Sequence, residues 1–315
     1  MALRAVRLRA ARFLARPPMK ALGSSPVRRH HWLKRSSEVA TAKKGAFMSN
    51  VEKVGDFITI ERQGRVAVVR FDRGDRVNAL SVQLLRDLGA TARLLRDDVT
   101  TSAIVLAGGR AFTGGADLTD PEMAKRATVS LLERREMLRA GPDMCDAWEA
   151  VDQVTIAAIE SFCIGGGVAL AAACDFRIVA RGAHFRLPEI PLGMNMSWHT
   201  QPRLVNLIGP SRAKQLTIFG ERVTAEQAEA WGLADEVCAD GEALAAARRW
   251  ADKVAALPPV SVRMAKRGIT QAATALNAVS TYMDADQFAL TATSEDHREA
   301  VTAFLEKRSP NFTGR

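Results

Sequence analysis

The sequence predicts an α/β fold: a β-rich core of strands alternating with helices, followed by an α-helical C-terminal portion. Three observations point there. Apolar runs at 103–107, 155–159 and 176–180 have the length and composition of buried strands. Helically periodic segments separate them, which implies βαβ units with parallel strands and right-handed crossovers. Beyond Pro258-Pro259 the patterning is helical only. At 315 residues, 47% hydrophobic and 25% charged, the chain has ordinary globular proportions. No run approaches the ~18 apolar residues of a membrane span, and a transmembrane protein is excluded.

In chain order, residues 1–47 come first and stand apart. They carry 12 Lys/Arg against one acid, Glu38, whereas the remainder carries 32 basic and 34 acidic residues. The net charge of +9 therefore belongs to this leader, and nucleic-acid binding by the body is not implied. Arg4, Arg7, Arg9, Arg12 and Arg16 among Leu3, Leu8, Phe13 and Leu14 suit a basic amphipathic transit helix. A start at Met48 is the simpler reading, and a nucleic-acid arm is a third. The domain division is a disordered leader over 1–47, an α/β core over 48–250 and a helical region over 251–315. A cytoplasmic protein is expected, or one of the mitochondrial matrix if the leader is a true transit peptide. Cys145, Cys163, Cys174 and Cys238 have no CxxC spacing, and the histidines form no zinc pattern, so no metal site is expected.

Residues 57–71 read as a β-hairpin turning at Gln63-Gly64. Residues 78–81 (NALS) open an amphipathic helix with Leu84, Leu85, Leu88, Leu94 and Leu95 on one side. A charged helical stretch follows around 122–150. Farther on, Ser211 is a candidate helix cap, Thr224 with Gln227 forms a capping box, and Gly232 stops that helix. Three helical stretches after Pro259 end at Lys307.

Two glycine-rich turns, at 112–117 and 164–169, each follow a buried strand. Glycine there permits positive φ and close approach of a ligand to the backbone. The second turn runs directly into a helix, whose first N–H groups lack intrahelical partners and favour an anion. Tight packing against a neighbouring strand would explain such a triplet equally well.

Together the segments NALS (78–81), AFTGGADL (111–118), IAAIESFCIGGGVALAAACDFRI (156–178), LPEIPLG (187–193), TAEQAEAWGLADEV (224–237) and EDHREAVTAFLEKRSPNF (295–312) resemble the crotonase (enoyl-CoA hydratase/isomerase) superfamily over nearly all of 55–315. The resemblance implies a crotonase (ClpP-like) spiral ββα core and a homotrimer or hexamer. It implies an acyl-CoA substrate, coenzyme A being part of that substrate and no separate cofactor being needed. It places a thioester oxygen between the backbone N–H groups of Ala116 and Gly166, with Gly115, Asp117, Leu118, Gly165 and Gly167 around it. Of the two glutamates used by hydratases of the family, the resemblance implies that one survives as Glu189, while the other position is Ala169. A double-bond shift needs one carboxylate where hydration uses two groups, so isomerisation is favoured. Decarboxylation, C–C hydrolysis, or a non-catalytic CoA- or RNA-binding role stays open. The pattern at 165–170 ends in Leu170 where a dinucleotide fingerprint needs a small residue.

Met194, Met196 and Trp198 are expected to shape the acyl pocket, or simply to pack the core. His199 and Ser197 are weighed as substitute proton carriers, and Asp120 and Glu122 as substrate-facing groups, against plain structural roles. Asp175 is expected to be structural. Arg76, Arg110 and Lys307 are candidates for the CoA phosphates, and Phe304 with Lys307 match the family's C-terminal element that closes over the ligand. Acyl chain and pathway are not legible.

Overall fold

The computed structural model describes residues 50–126 and 128–315, which belong to the unit Met48–Arg315. The expected leader over 1–47 lies outside the described residues. β1 (Asn50–Val54), a strand not expected from the sequence, pairs antiparallel with β2 (Ile58–Gln63), which pairs antiparallel with β3 (Val66–Phe71). The turn falls at Gly64-Arg65, one residue later than expected, with Gly64 at φ +59. Ile58 and Ile60 alternate inward, as half-buried strands require. Ser81 accepts from Leu84 N–H and starts α1 (Val82–Arg96), which buries Leu84, Leu85, Leu88 and Leu95. Leu94 points outward at 45% exposure, off the stripe assigned to it.

β4 (Ala103–Ala107) is buried throughout, because strands covered on both faces have no polar side. The stretch expected as one helix over 122–150 is three: α2 (Pro121–Lys125), α3 (Leu131–Met137) and α4 (Ala140–Glu149). Asp120 caps the first and a Ser130–Glu133 capping box starts the second, so local hydrogen bonding breaks the periodic run. β5 (Val154–Ile159), β6 (Phe162–Ile164), α5 (Gly166–Ala172), β7 (Phe176–Ala180) and β8 (His184–Arg186) follow, then α6 (Thr200–Phe219). α6 breaks at Gly209 (φ +74, ψ 163), so its second half begins at Pro210 and Ser211 is not its cap.

β9 (Val223–Thr224), α7 (Ala225–Trp231), with the expected capping box and Gly232 at φ +85, and β10 (Glu236–Cys238) complete the strands. α8 (Ala243–Ala255) straddles residue 250 and lays Ala246, Ala247 and Ala251 against the sheet. Four helices rather than three follow: α9 (Pro259–Thr274), α10 (Asn277–Thr281), α11 (Asp284–Thr291) and α12 (Glu295–Glu306).

The strand order is β1-β2-β3-β4-β5-β7-β10, parallel from β3 onward, with a second sheet of β6-β8-β9. Asp175 ties three elements together: it accepts from Thr155 N–H and Oγ1 on β5 and pairs with Lys266 on α9 at 2.7 Å. That is the structural role expected of it.

Candidate active site

The first glycine turn is held by a buried asparagine. Asn78, at φ +50, donates from Nδ2 to Phe71 O and Phe112 O, and Oδ1 accepts from Arg73 N–H. Thr113 Oγ1 donates to Asn78 O and accepts from Gly115 N–H. Asparagine tolerates the left-handed region, which explains its presence in the 78–81 segment. Leu80 then bridges to Ala116: Leu80 N–H donates to Gly115 O, and Asp117 N–H donates to Leu80 O. In such a pairing the middle residue's own N–H faces the other way. Among the described residues the Ala116 N–H meets no acceptor.

The second turn lies beside the first. Thr113 N–H donates to Phe162 O, Ile164 N–H donates to Thr113 O, and Gly115 (φ +91) passes so near Ile164 O that a Cβ would sit 2.8 Å from it. Gly165 (φ +55, ψ −120) donates to Arg186 O and turns the chain into α5. Only glycine adopts that conformation readily, and a Cβ there would also lie 2.8 Å from Glu189 Oε1. Gly166 is the first residue of α5, at its positive dipole end, and its N–H likewise meets no acceptor among the described residues.

A cleft of about 170 Å3 opens over these two turns. Its walls are mostly apolar (Leu118, Met123, Leu138, Met194, Met196, Trp198), and Glu189 is the sole carboxylate on them among the described residues. Glu189 Oε2 is sealed from solvent without a hydrogen-bond partner. Burial pushes the carboxyl up to about 7, with its own backbone hydrogen bond and Arg186 opposing only in part. Ala169 is fully buried one turn into α5 and brings no second carboxylate. Trp198, at φ +63, wedges its indole between Gly166 and Gly141 of α4, and a Cβ at either glycine would run into the ring.

Residues 61–315 match the family model described as Enoyl-CoA hydratase/isomerase. The chain belongs to the enoyl-CoA hydratase/isomerase (crotonase) family. Relatives agree across most of their length. The chain is 31% identical to the crotonyl-CoA hydratase of Syntrophomonas wolfei, covering 81% of this chain and 97% of that protein. It is 32% identical to the 2,3-dehydroadipyl-CoA hydratase of Escherichia coli, covering 82% and 99%. The crystal structure of enoyl-CoA hydratase/isomerase from Pseudoalteromonas atlantica superposes with a TM-score of 0.73 at 25% identity, covering 82% of this chain and all of that one.

Within this crotonase framework some candidate residues fall elsewhere. Asp117 does not line the cleft; its carboxylate accepts from Arg73 at 2.6 Å and from Thr119, so it braces the turn from behind. Gly167 faces Thr113 and Cys163 and serves close packing of α5 on the first turn. His199 is turned away onto Asp146 at 2.9 Å, and that hydrogen bond raises its pKa; it is no proton carrier for the cleft. Asp120 accepts from Val82 and Glu122 N–H, and Glu122 pairs with Arg86, both structural. Arg76 and Arg110 are exposed and reach no part of the cleft. Phe304, 68% exposed on α12, and Lys307 at its C-cap do not line the cleft of their own chain. Ser197 does line it, as do Gly115, Ala116, Leu118, Gly165 and Gly166. The sequence reading missed Gly141, Arg126 and Phe288 on the walls. No local pattern marks the first and last; Arg126 follows a helix with a Pro start, and only tertiary packing turns it inward.

Proposed function

We propose that the protein stabilises the enolate of an acyl-CoA thioester between the N–H groups of Ala116 and Gly166, and that Glu189 shifts a double bond along the acyl chain. With a 3-enoyl-CoA, the Glu189 carboxylate removes a proton from C2. The electrons move into a dienolate whose oxygen the two amides receive. The protonated Glu189 then returns the proton to C4, giving the 2-enoyl-CoA. No electrons leave or enter, so the step calls on no redox cofactor. Each oxyanion donor is worth about 3–4 kcal/mol in comparable sites.

The observation that carries this reading is Glu189 standing as the sole cleft carboxylate among the described residues, with buried Ala169 at the position where the family resemblance puts the other acid. Addition of water needs one group to activate it and another to deliver a proton, and loss of one costs 10²–10⁴-fold. Hydration should therefore be the slower reaction, although the relatives named above are hydratases. The reading also gives Phe304 and Lys307 a place as closing groups over the ligand of a neighbouring subunit in a homotrimer or hexamer. Pure protein offered 3-enoyl-CoA and 2-enoyl-CoA tests it: isomerisation of the first should outpace hydration of the second by at least 10²-fold. Fast hydration would overturn the preference.

A further inference from the structure

Besides Glu189, one charged side chain faces the cleft among the described residues: Arg126, at the end of α2. Among the described residues its guanidinium makes a single hydrogen bond, from one terminal nitrogen to Met137 O at 3.2 Å. Its Nε is sealed from solvent with no partner among the described residues. The nearest acids are occupied, Asp120 capping two helices and Glu122 pairing with Arg86. Burial lowers its pKa, and the charges of Asp120 and Glu122 oppose this only in part. Met137, its anchor, ends α3, four residues before Gly141 of α4, the glycine that abuts the Trp198 indole. The cation thus lines the same cleft as Trp198 and Leu138.

A guanidinium carries five donors in a planar fork that matches a carboxylate, and leaving it unpaired in an apolar cleft is costly. We propose that Arg126 receives a carboxylate at the far end of the acyl chain, so that the protein selects acyl-CoA thioesters of dicarboxylic acids over their monocarboxylic counterparts. This rests on the acyl-CoA reading above. The opposite charges of Arg126 and Glu189 then divide the labour: one end of the acyl chain is held by its charge while the other undergoes proton transfer.

Calorimetric titration of the full chain with saturated, unreactive thioesters tests this: succinyl-, glutaryl- and adipyl-CoA against butyryl-, valeryl- and hexanoyl-CoA. At the best-fitting length the dicarboxylic ligand should bind at least tenfold more tightly. Arg126→Gln should erase that ratio and Arg126→Lys should keep part of it, with melting curves confirming that both variants fold. Equal or better binding of the monocarboxylic series by the wild type would overturn the proposal. So would an Arg126→Gln loss of the same factor for every ligand including free CoA, which would make Arg126 a contact to the CoA phosphates. If no acyl-CoA binds, the acyl-CoA reading itself fails and this selectivity with it.

Discussion

In Glu189, the base of the proposed reaction, usefulness and cost have one origin. Its Oε2 is sealed from solvent and unpartnered, and burial holds the carboxyl's pKa at about 7 instead of 4.5. A base must be unprotonated to act, so isomerase kcat/KM should climb as pH rises through about 7 and level above it. Stability runs the other way. The folded state keeps its proton at higher pH than the unfolded chain, so the native state's advantage is complete below pH ~4.5 and is lost as pH rises through about 7. Glu189→Gln should therefore lower isomerisation by 10²–10⁴-fold. The same variant should melt higher than wild type at pH 8, by on the order of 2–3 kcal/mol, with the gap closing near pH 4.5. Denaturant melts at the two pH values check this, and a variant less stable at pH 8 would contradict it. The residue itself was legible as a candidate from its segment at 187–193. The sealing of its oxygen was not, because burial of one atom depends on how the whole fold packs around it.

At the scale of elements, short side-chain bridges set the site's geometry. Asp120 accepts from Glu122 N–H at 2.8 Å to cap α2 and from Val82 N–H at 2.7 Å at the start of α1. One carboxylate thus serves two helix N-termini on either side of the first glycine turn. Asp120→Ala should cost roughly 1–2 kcal/mol in chemical denaturation. It should also raise KM more than it lowers kcat, since α2 carries Met123 to the cleft and Arg126 follows it there. A change in kcat alone would argue against this role. The sequence left Asp120 between a substrate-facing and a plain structural role, and its hydrogen bonds decide for the structural one. The bond to Val82, 38 residues away, has no local signature.

Across the whole molecule, the helices that follow the core remain apolar on their outer side. Met264 and Ile269 of α9, Leu276, Val279 of α10, Leu290 of α11 and Phe304 are each about 70% exposed or more. Such surface is more than a monomer usually leaves in water. Sedimentation analysis should find a homotrimer or hexamer, and Leu276→Glu should shift it toward monomer, whereas an unchanged distribution would place the interface elsewhere. By itself the sequence determined the strand and helix alternation, the two glycine turns and the segment holding Glu189. Those features are written in local periodicity and in residues that few backbone conformations accept. Only the tertiary structure decided that the N–H groups of Ala116 and Gly166 meet no acceptor among the described residues, that His199 and Asp117 face away, and that Arg126 faces in. The direction of an amide or a side chain is set by pairings between segments tens of residues apart, and hydrophobic pattern carries no record of them.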